Sequence, residues 1–292
     1  MSAVRSGPGL GPARRGPFLA HADMNGTGLA AAPLPPVVIE QAAVSYGGHQ
    51  VLEDVDVRVG QGERVAVIGP SGAGKTTLFR LIAGLARPAR GRVLTLGQDV
   101  SRLRGRRLAR LRRDVGFLHQ QDNLIPQLRV VHNVLMGRLG HWWLPRALWS
   151  LLWPQELDRA TAALSRVELA QRLWSLPDEL SGGQQQRVAV ARLIVQQPRL
   201  VLADEPVSAL DLRLGQEIIG LLCELAGRDG ATLLVNLHTL DLLQGHFDRV
   251  IALRGGRVFW QGAPADISQR LLRELYGAEY RALHLDEMAL PA

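Results

Sequence analysis

Lysine is almost missing from this chain. Its 292 residues hold one, Lys75, beside thirty-three arginines. Cysteine is as scarce: Cys223 stands alone, which excludes an intrachain disulfide framework and a cysteine-built zinc site. No run of eighteen or more apolar residues occurs, so no segment reads as a membrane-crossing helix. The opening stretch, MSAVRSGPGLGPARRGPFLAHADMNG, lacks the continuous apolar core of a secretory signal. These absences predict a cytoplasmic chain. What is present, 47% hydrophobic and 21% charged residues, is an ordinary globular mixture. The net charge of +7 is local: residues 80–113 contain eleven arginines and one acid, Asp99, so the rest of the chain is slightly acidic.

Residues 1–36 are rich in Gly, Pro and Ala without hydrophobic period and read as a disordered tail, with Met24 as an alternative start. Order is expected over 37–280, with a short tail at 281–292. VVIEQAAVSY and VDVRV carry the β-branched alternation of an antiparallel pair. RVAVIG (64–69) reads as a buried strand running into a glycine-rich turn and then a helix, KTTLFRLIAGLA. LVLAD (200–204) and TLLVNL (232–237) are further buried strands. Residues 127–198 are mostly helical in period, broken at Gly140, Pro145, Pro154, Pro177 and Gly182–Gly183. IALRGGRVFWQG reads as a hairpin, and ADISQRLLRELYG as an amphipathic helix stopped by Gly277. Strands alternating with helices predict a mainly parallel α/β sheet, with the helical block as a lobe of its own.

Lysine's one position is informative. Gly69-Pro70-Ser71-Gly72-Ala73-Gly74-Lys75-Thr76-Thr77 fits the phosphate-loop pattern G-x-x-x-x-G-K-[ST] in its confirming strand–turn–helix context. Glycines let successive backbone N–H groups face phosphate oxygens, and the helix start adds positive potential. Lys75 is a compact ammonium for the β- and γ-phosphates, where a planar guanidinium fits poorly. The Thr76 hydroxyl is a hard ligand for Mg²⁺. Asp204, at the end of an apolar strand, is placed for the same metal, and Glu205 beside it for polarising an attacking water. No N-K-x-D stretch exists to select guanine, which points to ATP.

LSGGQQQRVAVARLIVQQPRLVLADEP (180–206) then resembles the signature of the ATP-binding cassette (ABC) family. The resemblance spans about residues 37–280. It implies a P-loop α/β fold with an antiparallel β subdomain and a helical subdomain over about 121–184. It implies two cassettes sandwiching two ATP molecules, with Ser181, Gly182, Gly183 and Gln184 of one capping the nucleotide held by the other. Tyr46 matches the aromatic that stacks on adenine, and Gln120 the glutamine that links Mg²⁺ and attacking water to the helical lobe. Asp211, in SALD, matches the loop that crosses the dimer interface, and His238 the histidine that contacts the γ-phosphate. His119 stands where the family often has Phe.

One cassette without a membrane span is similar to the separate ATPase subunit of a bacterial importer. HQQDNLIPQLRVVHNVLMGRLG, NLHTLDLL and LYG are similar to the phosphonate-import ATPases. The resemblance implies a homodimer on the cytoplasmic face of the inner membrane, docked on integral membrane permease subunits served by a periplasmic solute-binding protein. It implies no nucleic acid. Transport of another solute, an exporter, and a soluble nucleic-acid cassette are the alternatives. Two segments stay open. HWWLPRALWSLLW (141–153) holds four of six tryptophans, for a core or for a groove receiving a permease helix. SRLRGRRLARLRR (101–113) reads as a solvated helix, with anionic lipid and nucleic acid as further readings.

Overall fold

Strands buried on both faces build the centre of the molecule. The computed structural model describes residues 34–119, 124–143, 145, 149–150 and 153–282. The tail over 1–33 with Met24, the glutamines 120 and 121, and residues 283–292 lie outside the described residues. Strands β1 (Val37–Tyr46), β2 (His49–Val59), β4 (Arg90–Thr95) and β5 (Gln98–Asp99) form an antiparallel sheet in the order β2-β1-β4-β5. Strands β3 (Arg64–Ile68), β6 (Val115–Leu118), β7 (Leu200–Asp204), β8 (Thr232–Asn236), β9 (Arg249–Arg254) and β10 (Arg257–Gly262) form the central sheet. Its order is β10-β9-β3-β8-β7-β6, parallel throughout except for the β9–β10 hairpin.

Side chains on the inner strands alternate between two cores. Val65, Val67, Leu200, Leu202, Leu234, Ile251 and Leu253 face helix α1 (Lys75–Ile82) and the antiparallel sheet. Ala66, Ile68, Val201, Ala203, Leu233, Val235, Val250 and Ala252 face the opposite core, which includes residues of α5 (Gly182–Gln196) and α6 (Leu212–Asp229). Burial on both faces explains why these strands read as unbroken apolar runs.

The remaining helices are α2 (Gly105–Asp114), α3 (Val130–Leu135), α4 (Leu157–Arg166), α7 (Gln269–Tyr276) and the short α8 (Glu279–Ala282), with a 3₁₀ segment at Met136–His141. Between β6 and β7, α3, α4 and α5 pack through Val130, Val131, Val134, Leu164 and Val188. Buried Asn133 pins the preceding loop: its Nδ2 donates to Leu128 O (2.8 Å) and its Oδ1 accepts from Ile125 N–H (2.7 Å).

Three sequence expectations need correction. The helix expected over 75–86 ends at Ile82, because Gly84 turns left-handed (φ 65°). Leu85 N–H then bonds Arg80 O and Gly84 N–H bonds Leu81 O, closing a Schellman cap. The breaks at Pro177 and Gly182–Gly183 are element starts: Pro177 opens a 3₁₀ turn and the glycines form the first turn of α5. A core role fails for Trp143, Trp149 and Trp153, which are 71%, 60% and 69% exposed; only Trp142 packs, partly buried, against the core. Strand β4 was not expected. Its register is hidden by Arg90 and Arg92, and Gly91 (φ 79°) sits against Gln41 O where a Cβ has no room.

Candidate functional site

The phosphate loop is shaped by what crowds it. Gly69 (φ 145°) presses on Leu253 O of β9, so a Cβ there would overlap the carbonyl. Gly74 (φ 97°) caps α1 and lies under Leu52 and Val51. Parallel pairing of β3 with β8 and β9 fixes the strand that feeds the loop. A cleft of about 260 Å³ opens over it, lined by Val51, residues 71–77, Glu205 and His238.

Lys75 is 4% exposed, and its Nζ donates to the carbonyls of Gly69 (2.6 Å) and Pro70 (3.0 Å). Burial holds its ammonium below the ordinary range, while the carboxylates of Glu205, Glu279 and Asp204 push the other way. An amine folded onto its own loop is available to an incoming phosphate by rotation of its stem. Buried Asp204 accepts from Asn236 Nδ2 (2.7 Å) and from the Thr76 hydroxyl (3.2 Å) through Oδ1. That separation is near the ~3 Å edge of an octahedron with bonds of about 2.1 Å, so the oxygen pair fits a hard divalent cation. Among the described residues no three His, Cys, Asp or Glu side chains cluster as a metal site.

Glu205 adopts φ 52°, the left-handed region, and its Oε1 lies 2.6 Å from His238 Nε2. The strand ends of β7 and β8 thus bring two distant residues face to face over the loop. Tyr46 ends β1 half exposed, outside the residues that line the cleft.

Ser181, Gly182, Gly183, Gln184 and Asp211 do not line this cleft either. Ser181 caps α5: its Oγ accepts from Gln184 N–H (3.4 Å) while Gln184 Oε1 accepts from Ser181 N–H (3.1 Å). Asp211 caps α6 through Leu214 N–H at 2.9 Å. The two signature glycines differ. Gly182 has open space around it, whereas a Cβ on Gly183 would lie 2.3 Å from Leu214 Cδ2. One glycine exposes backbone; the other admits α6. Arg187, one turn on, ties α5 to α6 through Glu217 (2.6 Å).

Gln120 lies outside the described residues, just past His119. His119 stacks on Phe117 (centroids 4.2 Å apart), and burial lowers its pKa.

Sequence reasoning missed three residues here. Asn236 carries a polar signal in VNLH, two places before His238, but its bond to Asp204 is long-range. Glu279 Oε2 accepts Ser71 N–H at 3.3 Å, placing a carboxylate on a phosphate-loop donor. Tyr276 lies beneath Gly69, its phenol facing that backbone without a well-formed hydrogen bond and pushed up to about 12 by burial. No local motif announces either of the last two.

The arrangement can hold a nucleoside triphosphate, a hard cation and a carboxylate-activated water. Comparison with known proteins agrees. The family model described as ABC transporter matches residues 52–208. The chain is 47% identical over 238 residues to the phosphonates import ATP-binding protein PhnC 1 of Pseudomonas aeruginosa, covering 81% of this chain and 88% of that one. It is 44% identical over 232 residues to the phosphonates import ATP-binding protein PhnC of Thiobacillus denitrificans, covering 80% and 88%. Among solved structures it resembles the dimeric bacterial ABC transporter cassette MJ0796, with a TM-score of 0.69 and 32% identity over 78% of this chain and 98% of that one. With the phosphate loop, the acidic strand end and the capped signature helix all in one fold, the chain belongs to the ABC transporter family as one of its ATP-binding subunits.

Proposed function

We propose that this subunit hydrolyses ATP to drive uptake of a phosphonate or a closely related phosphorus oxyanion. The observation that carries the solute class is lineage. Eight relatives with 39–47% identity over 80–84% of this chain are named phosphonate-import ATP-binding proteins. The subunit works as a homodimer at the cytoplasmic face of the inner membrane, on integral permease subunits fed by a periplasmic binding protein. Among the described residues no helix is long and apolar enough to cross a membrane, in keeping with a separate membrane partner.

Each site residue takes the role that its match to the family's motifs implies. The N–H groups of residues 71–77 and the Lys75 ammonium bind the phosphates, and Tyr46 stacks on adenine. Thr76, Asp204 and Gln120 would hold Mg²⁺, which neutralises phosphate charge. Glu205 takes a proton from the attacking water, and His238 orients Glu205 and contacts the γ-phosphate. Ser181, Gly182, Gly183, Gln184 and Asp211 sit apart from the cleft of their own chain, which suits contacts across a dimer. The subunit, co-purified with its permease and set in proteoliposomes, tests the reading. ATP hydrolysis should rise severalfold with phosphonate-loaded binding protein inside. Equal stimulation by sulfate-loaded or unrelated binding proteins, or none by phosphonate, sinks the solute assignment.

A further inference from the structure

Helix α2 turns its arginines outward. Buried Leu111 and half-buried Leu108, the latter packed on Gly84, hold the helix to the body. Arg106, Arg107 and Arg110, spaced i, i+1 and i+4, stand exposed on the other side and make no ion pair among the described residues. The end of α2 lies on the 3₁₀ segment Met136–His141: the Arg113 stem packs 3.3–3.7 Å from where a Gly140 Cβ would project. Trp143 follows two residues later. Glu156 draws the far end of the tryptophan stretch back to the same place, accepting from Trp142 Nε1 (3.2 Å) and pairing with Arg138 (3.3 Å). Trp153 N–H bonds Trp149 O (2.9 Å), which sets these two residues one turn apart. Three indoles more than half exposed bring several hundred Å² of apolar surface to the segment that begins where the end of this cationic helix packs.

We propose that α2 and the exposed tryptophans form a membrane-contact surface for an anionic lipid bilayer. Arginine alone would suit any phosphate polymer, and tryptophan alone any apolar partner. Indoles beside unpaired guanidinium groups match the two layers of a bilayer interface: acyl boundary and headgroup carbonyls for the rings, anionic headgroups for the cations. The contact is independent of the transported solute and needs no permease, so protein-free vesicles test it.

Purified full-length protein is sedimented with vesicles of phosphatidylcholine alone or with 30% phosphatidylglycerol, an assay composition of about physiological charge. Binding is expected only to the anionic vesicles, with a blue shift of tryptophan emission, and is lost in high salt. Arg106→Glu/Arg107→Glu/Arg110→Glu lowers partitioning about a hundredfold or more. Trp149→Ala/Trp153→Ala lowers it about tenfold or more and removes most of the blue shift. Hydrolysis by the soluble variants stays unchanged and reports their folding; should the charge reversal misfold, the tryptophan variant carries the test. Equal binding to neutral vesicles, no binding, or wild-type binding by a folded variant overturns the proposal. So does attachment that appears only with the permease, or only with a nucleic acid.

Discussion

Replacing Glu205 separates chemistry from backbone strain. Its φ of 52° is left-handed, which costs an L-residue about 1–2 kcal/mol. Glycine avoids that cost but gives back about 0.4–1 kcal/mol in unfolded-chain entropy. Glu205→Gly should therefore raise stability by up to about 1 kcal/mol, lifting Tm by about 2–4 °C for a domain of this size. His238, which loses its 2.6 Å partner, is one-third exposed and can turn to water. Glu205→Gln keeps the side-chain shape and the strain, so its Tm should match the parent. Both variants lose the proton acceptor, and turnover should fall about 10²–10⁴-fold, equivalent to about 3–5 kcal/mol of barrier. Phosphate release at saturating ATP measures the first effect and calorimetry without nucleotide the second. ATP should still bind both, and the Gln variant should accumulate as an ATP-dependent dimer on gel filtration. Turnover within threefold of the parent removes Glu205 from the proton-accepting role. A Gly variant that melts below the Gln variant removes the strain.

The signature glycines should part company: Gly183→Ala drives a Cβ to 2.3 Å from Leu214 Cδ2 and should cost about 1–3 kcal/mol of stability by overpacking. Gly182→Ala, in open space, should melt normally yet slow ATP-dependent dimerisation; denaturant melts and gel filtration read the two. Glu279→Ala frees Ser71 N–H and removes a negative charge beside the phosphates, so ATP affinity should rise about two- to fivefold by titration calorimetry. An unchanged or weaker affinity shows that the carboxylate does not compete. Burial lifts the Cys223 thiol from 9.0 to about 11, so at pH 8 iodoacetamide should label it only after unfolding. Since the folded pKa is the higher one, the associated stabilisation is full below pH 9 and is lost as pH rises towards 11.

The legible parts of this molecule are those whose chemistry constrains their own backbone. A strand buried on both faces must be apolar through its middle, and β3, β7 and β8 are, with polar residues only at their ends. A loop that wraps phosphate needs glycines and one compact cation. The lone lysine marks that place because 4% exposure and two carbonyls within 3.0 Å leave no room for a guanidinium fork. The illegible parts are made by elements far apart in sequence. Glu279 reaches Ser71 across 208 residues, and Asn236 reaches Asp204 across 32. Neither pairing leaves a periodic trace. Strand β4 escapes for a different reason: its outer face is arginine, so the alternation it obeys is drowned in a basic stretch. Gly183 is the instructive middle case. Its identity fits an exposed anion-binding turn, yet a Cβ there would also have to displace the Leu214 side chain of α6. Two pressures act on adjacent glycines, one from the ligand side and one from α6, and only the three-dimensional contact tells them apart. The same separation places Ser181 and Asp211 away from the cleft of their own chain, so a second copy has to bring them to the nucleotide if they act on it.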